Sequence, residues 1–417
     1  MASPARAATA VPTELDVRAD FPILAREING RRLVYLDSSS TSQKPEQVLA
    51  ALDDYYRNHN ANIHRGVYPL AQEADALFEG ARQRIAAFTG APARTTIFTR
   101  NVTDAINLVA YSWARTNLGP SDAVLVTEME HHSNIVPWQL ATQATGAALR
   151  WLDVDDGGAL SLDQLDSELA RGDIRLVAVT HVSNVLGTIN PVGEIVRRAH
   201  AAGALVLIDG AQAVPQLPVD VAEIGADFYA WTGHKALGPT GVGVLHGDAA
   251  LLEQMPPFLS GGDMIASVTR EHTTWNELPW KFEAGTSMIA QAVGLGAAID
   301  YLGALGMERV RAHERELTGY ALERLAELPG VRIFGPPSAD DRGGVVAFAV
   351  EGIHPHDIAE LLGRENVCVR ASHHCAQPLM AKLGVAATAR ASFGPYNMPD
   401  DVDALVEAVR GAQKIFA

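Results

Sequence analysis

Along most of the chain one rhythm recurs: a short apolar run, then a longer stretch whose apolar positions return with a helical period. Ala123–Thr127, Leu176–Thr180, Leu205–Ile208 and Gly243–Leu245 are apolar runs of strand length. Thr103–Thr116, Asp163–Ala170 and Val192–Ala202 predict helices between them. Strands alternating with helices predict an α/β fold: a mostly parallel sheet with helices on both faces. Sites in such sheets form at the carboxyl ends of the strands. After about residue 305 the rhythm changes. A long helix (Glu308–Leu328) precedes a strand (Val345–Val350), a helix (Pro355–Gly363), a short strand (Val367–Arg370) and a final helix (Pro399–Ile415). The pattern predicts a disordered tail over 1–19, a large α/β domain over 20–304 and a smaller α+β domain over 305–417. The N-terminal segment of the large domain is expected to pack on the small one.

Composition narrows the class. A chain of 417 residues fits two domains, and 47% hydrophobic with 20% charged residues is the profile of a soluble globular protein. The net charge of −16 argues against a nucleic-acid surface and gives no reason to expect an anionic membrane. The two cysteines, Cys368 and Cys375, make no disulfide framework and no multi-thiolate zinc site, so a cytoplasmic location is expected. No apolar run reaches the ~18 residues that span a bilayer. The Ala-rich start, Met1–Pro12, lacks a signal-peptide core and reads as a tail rather than a transit peptide.

The most informative stretch is Ala204–Lys235. One apolar run ends in Asp209-Gly210-Ala211-Gln212, and a second, from Asp227 to Trp231, ends in Thr232-Gly233-His234-Lys235. An acid and a lysine then stand at neighbouring strand ends. Pyridoxal 5′-phosphate (PLP) chemistry needs that pair: a lysine amine for a Schiff base, and a carboxylate to keep the pyridinium nitrogen protonated. Each alone reads more simply as a surface residue.

Arg100-Asn101-Val102-Thr103 opens a predicted helix, where backbone N–H groups and the Thr103 hydroxyl suit a phosphate. Thr103 as an ordinary helix cap is the bland alternative. Thr232 and His234 add donors beside the lysine. There is no P-loop, and Gly241-Val242-Gly243 and Gly294-Leu295-Gly296 lack the setting of a dinucleotide site. Glu130-His131-His132-Ser133-Asn134 follows a strand end, where a histidine can stack on a ring and carry protons; the alternative is a metal ligand. Cys375 closes Arg370-Ala371-Ser372-His373-His374-Cys375, a polar loop that suits a reactive thiol, with a His-His-Cys metal site as the alternative. Cys368, among apolar neighbours, reads as inert core. Arg390, a lone arginine among small residues, suits bidentate capture of a carboxylate or a structural ion pair.

In order and combination these motifs resemble the group II (SUF-type) cysteine desulfurases, within fold-type I of the PLP enzymes. The match runs from about Asp20 to the C-terminus. It also takes in Tyr35-Leu36-Asp37-Ser38, His64-Arg65-Gly66, His181-Val182-Ser183-Asn184 and Phe282-Glu283-Ala284-Gly285-Thr286. The resemblance implies conversion of L-cysteine to L-alanine, with the sulfur held as a persulfide on Cys375. That sulfur would pass to a carrier and scaffold for iron–sulfur cluster assembly. Lys235 would carry the cofactor, Asp209 pair with its ring nitrogen, Gln212 bond its ring hydroxyl and His131 stack on it. Thr103, Thr232 and His234 would hold the phosphate, joined by Thr286 from the other subunit of a homodimer. Asn184 and Arg390 would bind the substrate carboxylate, with Arg370 nearby; no metal is expected.

The short loop from Arg370 to Cys375 and the segment around Gly261–Trp280 look like group II. Two departures bear on substrate preference: Ser39 and Ser40 stand where relatives usually carry alanines, and Ser287-Met288 replaces a Pro-Asn type pair. The alternative on the same scaffold is a selenocysteine lyase or cysteine-sulfinate desulfinase. An aminotransferase has no use for a loop thiol, and a mere assembly partner none for Lys235, Asp209 and Cys375 together. His354-Pro355-His356 reads as an exposed helix start or as a ligand lent to a zinc-type carrier.

Overall fold

The computed structural model describes residues 15–416, so most of the expected tail lies outside the described residues. Its last part does not. Leu15 is buried, and its N–H donates to His313 Nδ1 at 3.3 Å. Arg18 and Arg32 both pair with Asp401, at 3.5 and 2.5 Å. The ordered chain therefore begins before residue 20.

Seven strands form the main sheet. From one edge they are Thr96–Thr99, Gly243–Gly247, Phe228–Thr232, Leu205–Asp209, Ile174–Thr180, Ala123–Thr127 and Ala148–Leu152. Gly243–Gly247 runs antiparallel to both neighbours, and the pairs from Phe228–Thr232 to Ala148–Leu152 are parallel. The strands are apolar without alternation because both faces are covered. In Leu205–Asp209, Val206 and Ile208 face the layer that contains Ile195 and Val196, while Leu207 faces the opposite layer with Ile106 and Trp138. Period-two side chains thus serve two cores.

The predicted helix Thr103–Thr116 is three pieces: Val102–Val109, a π-helical turn at Ala110–Ala114, and Arg115–Asn117. The helix Ile289–Leu305 is buried on nearly every side and bends by 76° at Gly306 into Met307–Ala326. Gly306 has φ +82°, a conformation that costs other residues more.

Beyond it, Val331–Phe334, Val345–Val350, Thr388–Ser392 and Arg370–Ser372 form, in that order, a four-stranded antiparallel sheet. The predicted strand Val367–Arg370 changes partner midway. Val367–Cys368 pairs in parallel with Val34–Tyr35, and Arg370–Ser372 joins the sheet. An N-terminal strand thereby docks on the C-terminal unit, and Asp37 bridges to Ser392.

Candidate active site

One cavity, of about 480 Å³, opens at the carboxyl end of the main sheet. Its lining includes Ser39, Ser40, Thr103, His131, Asn184, His234, Lys235, Arg370, Cys375 and Arg390. Residues read from scattered motifs are brought together there.

Segments that follow strand ends supply Lys235 and His131 to the lining, and Asp209 is buried at a neighbouring strand end outside it. Asp209 ends one strand and is buried; burial raises its pKa, opposed by the Ala211 N–H bond to its Oδ1 (2.9 Å) and by Lys235. Lys235 follows the next strand within a single 3₁₀ turn. Burial lowers its ammonium to about 8 against the pull of Asp209, with Arg390 adding to the lowering. A lysine so placed is a nucleophile near neutral pH. His131 is lowered to about 3, first by burial and then by Lys235. Ser133 N–H donates to its Nδ1 at 3.1 Å, so the neutral ring carries its proton on Nε2.

The start of a helix lines the same cavity as the lysine. Asn101 caps the helix Val102–Val109 by accepting from Asp104 N–H, and the first-turn N–H groups lack intrahelical partners. Gly243 lets this turn approach, since a Cβ there would meet Asn101 backbone atoms at 2.5 Å. Thr232 Oγ1 is buried with no partner, and His234 is lowered to about 4 by burial, Lys235 and Lys44. An orphaned hydroxyl, a helix start, a buried acid and a poised lysine fit pyridoxal phosphate. Lys44 was not among the sequence candidates. Its ammonium donates to the carbonyls of Ser42 and His234 (2.9 Å to the latter), and burial lowers it to about 7.

The opposite wall belongs to the small sheet. Arg390 is buried in the strand Thr388–Ser392; its Nη1 donates to Asn184 O at 2.8 Å and its Nη2 to Ser40 Oγ at 2.7 Å. Its Nε has no partner, and burial lowers its pKa to about 10. Arg370 is half-exposed and grips Asp37 through Nε and Nη2, at 3.2 and 2.9 Å. Asp37 therefore stands between the two arginines. Nothing local in the sequence marks this role, because the two arginines lie over 330 positions away.

Cys375 is exposed, and both it and His374 adopt left-handed backbone (φ +54° and +51°). Such residues cost of order 1–3 kcal/mol each and need external support. The His374 ring is buried, with Nε2 donating to Thr388 O at 3.0 Å. Asn184 Nδ2 donates to His374 O at 2.8 Å, and Cys375 O accepts from His132 N–H at 2.7 Å. Asn184 thus ties the loop and the arginine. Cys368 is half-buried, and burial raises its thiol.

Gln212 Nε2 donates to Ser39 O at 2.8 Å, and Gln212 is not part of the cavity lining. Thr286 is exposed and lies outside its own chain's cavity. Among the described residues no cluster of His, Cys, Asp or Glu is placed to hold a metal ion.

A lysine with a lowered pKa and a buried aspartate at neighbouring parallel strand ends, with an arginine of the four-stranded sheet lining the lysine's cavity, fit a fold-type I PLP enzyme. Residues 34–405 match the aminotransferase class-V family, and the chain belongs to that family. It is 49% identical to the cysteine desulfurase of Haloferax volcanii, covering 97% of this chain and 98% of that one. It is 51% identical to a probable cysteine desulfurase of Streptomyces coelicolor, covering 98% and 100%. A solved cysteine desulfurase from Escherichia coli superposes with a TM-score of 0.88 at 40% identity, over 96% of this chain and 98% of that chain.

Proposed function

We propose that the protein is a PLP-dependent cysteine desulfurase that forms a persulfide on Cys375 and passes its sulfur to a SUF-type carrier for iron–sulfur cluster assembly. The observation that carries this reading is one cavity lined by Lys235, Arg390 and a loop thiol. Lys235, Asp209, His131, Thr103, Thr232 and His234 would hold the cofactor, which supplies an electron sink next to the substrate's Cα.

Arg390 receives the substrate carboxylate through its free Nε edge. Lys235 takes and returns the Cα proton, a role that suits a pKa of about 8. The Cys375 thiolate attacks the substrate sulfur. An S–S bond forms, and the C–S bond breaks with its electron pair left toward Cβ. A proton at Cβ then completes alanine.

The exposure of Thr286 suits a homodimer in which it serves the partner's cavity. A cytoplasmic location suits a free working thiol. The test is direct. The PLP-loaded protein is given L-cysteine, and alanine and protein-bound sulfane sulfur are measured. The expected result is one sulfane sulfur on Cys375 per first alanine; alanine without sulfur on Cys375 sinks the reading.

A further inference from the structure

Arg390 is the buried charge on which carboxylate recognition turns, yet its nearest anion is one of the protein's own. Its Nη2 is 3.4 Å from Asp37 Oδ1, a long contact for a guanidinium and a carboxylate. The Ser40 hydroxyl stands between them. It accepts from Arg390 Nη2 at 2.7 Å and donates to Asp37 Oδ1 at 2.6 Å. Asp37 is held from its other side by Arg370. Ser40 and Arg390 both line the cavity, and Arg390 Nε, nine-tenths or more buried with its residue, has no partner.

We propose that Ser40 is a positioning residue for carboxylate recognition: its hydroxyl keeps Asp37 from closing directly on Arg390. This rests on the reading that Arg390 receives the substrate carboxylate. With the hydroxyl present, the two short bonds of Arg390 go to neutral oxygens, Ser40 Oγ and Asn184 O, and its direct bond to Asp37 stays long at 3.4 Å. Without it, nothing separates Nη2 from Asp37 Oδ1. A direct pair in a buried, poorly screened place is strong. It draws the guanidinium away from the cavity and sets Asp37 in competition with the ligand. In this chain, where relatives usually carry an alanine, the hydroxyl can act as a spacer because it accepts from one neighbour while donating to the other.

The experiment compares Ser40→Ala and Ser40→Thr with wild type as PLP-loaded proteins. Binding of L-alanine and of ethylamine, which is alanine without its carboxylate, is titrated by the change in cofactor absorbance. Ser40→Ala is expected to weaken L-alanine about tenfold, the scale of one lost hydrogen bond to a charged group. Ethylamine binding should stay within about twofold, and Ser40→Thr should restore L-alanine. With cysteine, KM should rise more than kcat falls. Equal weakening of both ligands marks a general structural role and overturns the proposal, as does an unchanged L-alanine affinity in Ser40→Ala. Product binding does not need the thiol, so a failed desulfurase assay is read separately from this result.

Discussion

On one side, Lys235 lines the cavity from a single 3₁₀ turn that follows a strand, with Asp209 and Thr232 buried at the ends of neighbouring parallel strands. On the other, His374 and Cys375 sit in left-handed backbone on a loop, with the cysteine open to solvent. The first side tunes its groups by desolvation: the Lys235 ammonium is lowered and the Asp209 carboxyl raised. The second keeps its thiol accessible and spends its contacts on backbone. Asn184, Thr388 and His132 hold the loop while leaving the cysteine side chain outside. Chemistry that stays in the cavity is built on rigid strand ends. The exposed thiol is built on a braced loop.

Lys235→Ala should break the first side completely. It removes both the cofactor anchor and the Cα-proton base, and base loss alone costs about 10²–10⁴-fold. The check is alanine formation from cysteine together with cofactor colour; full activity ends the assignment. Cys375→Ser should break only the second side. Alanine formation from cysteine should fall to background while the protein stays yellow, and Cys368→Ser should keep most of its turnover. A Cys375→Ser enzyme as fast as wild type means that no persulfide forms there.

Arg390→Ala tests the seam between the two sides. Losing a charge-assisted contact of about 2–4 kcal/mol should lower kcat/KM on the order of 30- to 1000-fold. Cofactor content should hold, because Arg390 belongs to the small sheet. The smallest effect sharpens the electrostatic half of the contrast. A lysine lowered by burial is protonated below its pKa and neutral above it. Cofactor uptake by the PLP-free protein should therefore quicken about tenfold per pH unit up to about 8 and then level off. A rise that continues to the ordinary lysine range means that Lys235 is not desolvated.

Legibility in the sequence divided along the same line. Asp209, Thr232, His234 and Lys235 were readable because each sits at the end of an apolar run, and strand ends in this fold class converge. The thiol was readable from its polar surroundings, and Arg390 from its isolation. Asp37, Ser40 and Lys44 carry no such local mark: Ser40 meets Arg390 across 350 positions and Lys44 meets His234 across 190. Nor does periodicity foretell a strand such as Val367–Arg370 exchanging partners midway, since both halves have the same local pattern.

The sequence by itself determined the alternation of strands and helices, the two cores served by each central strand, and the acid–lysine pair, because these follow from short-range patterns of polarity. Only the tertiary structure decided that Asp37 lies between two arginines with Ser40 as its spacer, that Asn184 ties the cysteine loop, and that Lys235 is desolvated. Those are properties of distance and burial, set when remote segments pack together, and no window of sequence contains them.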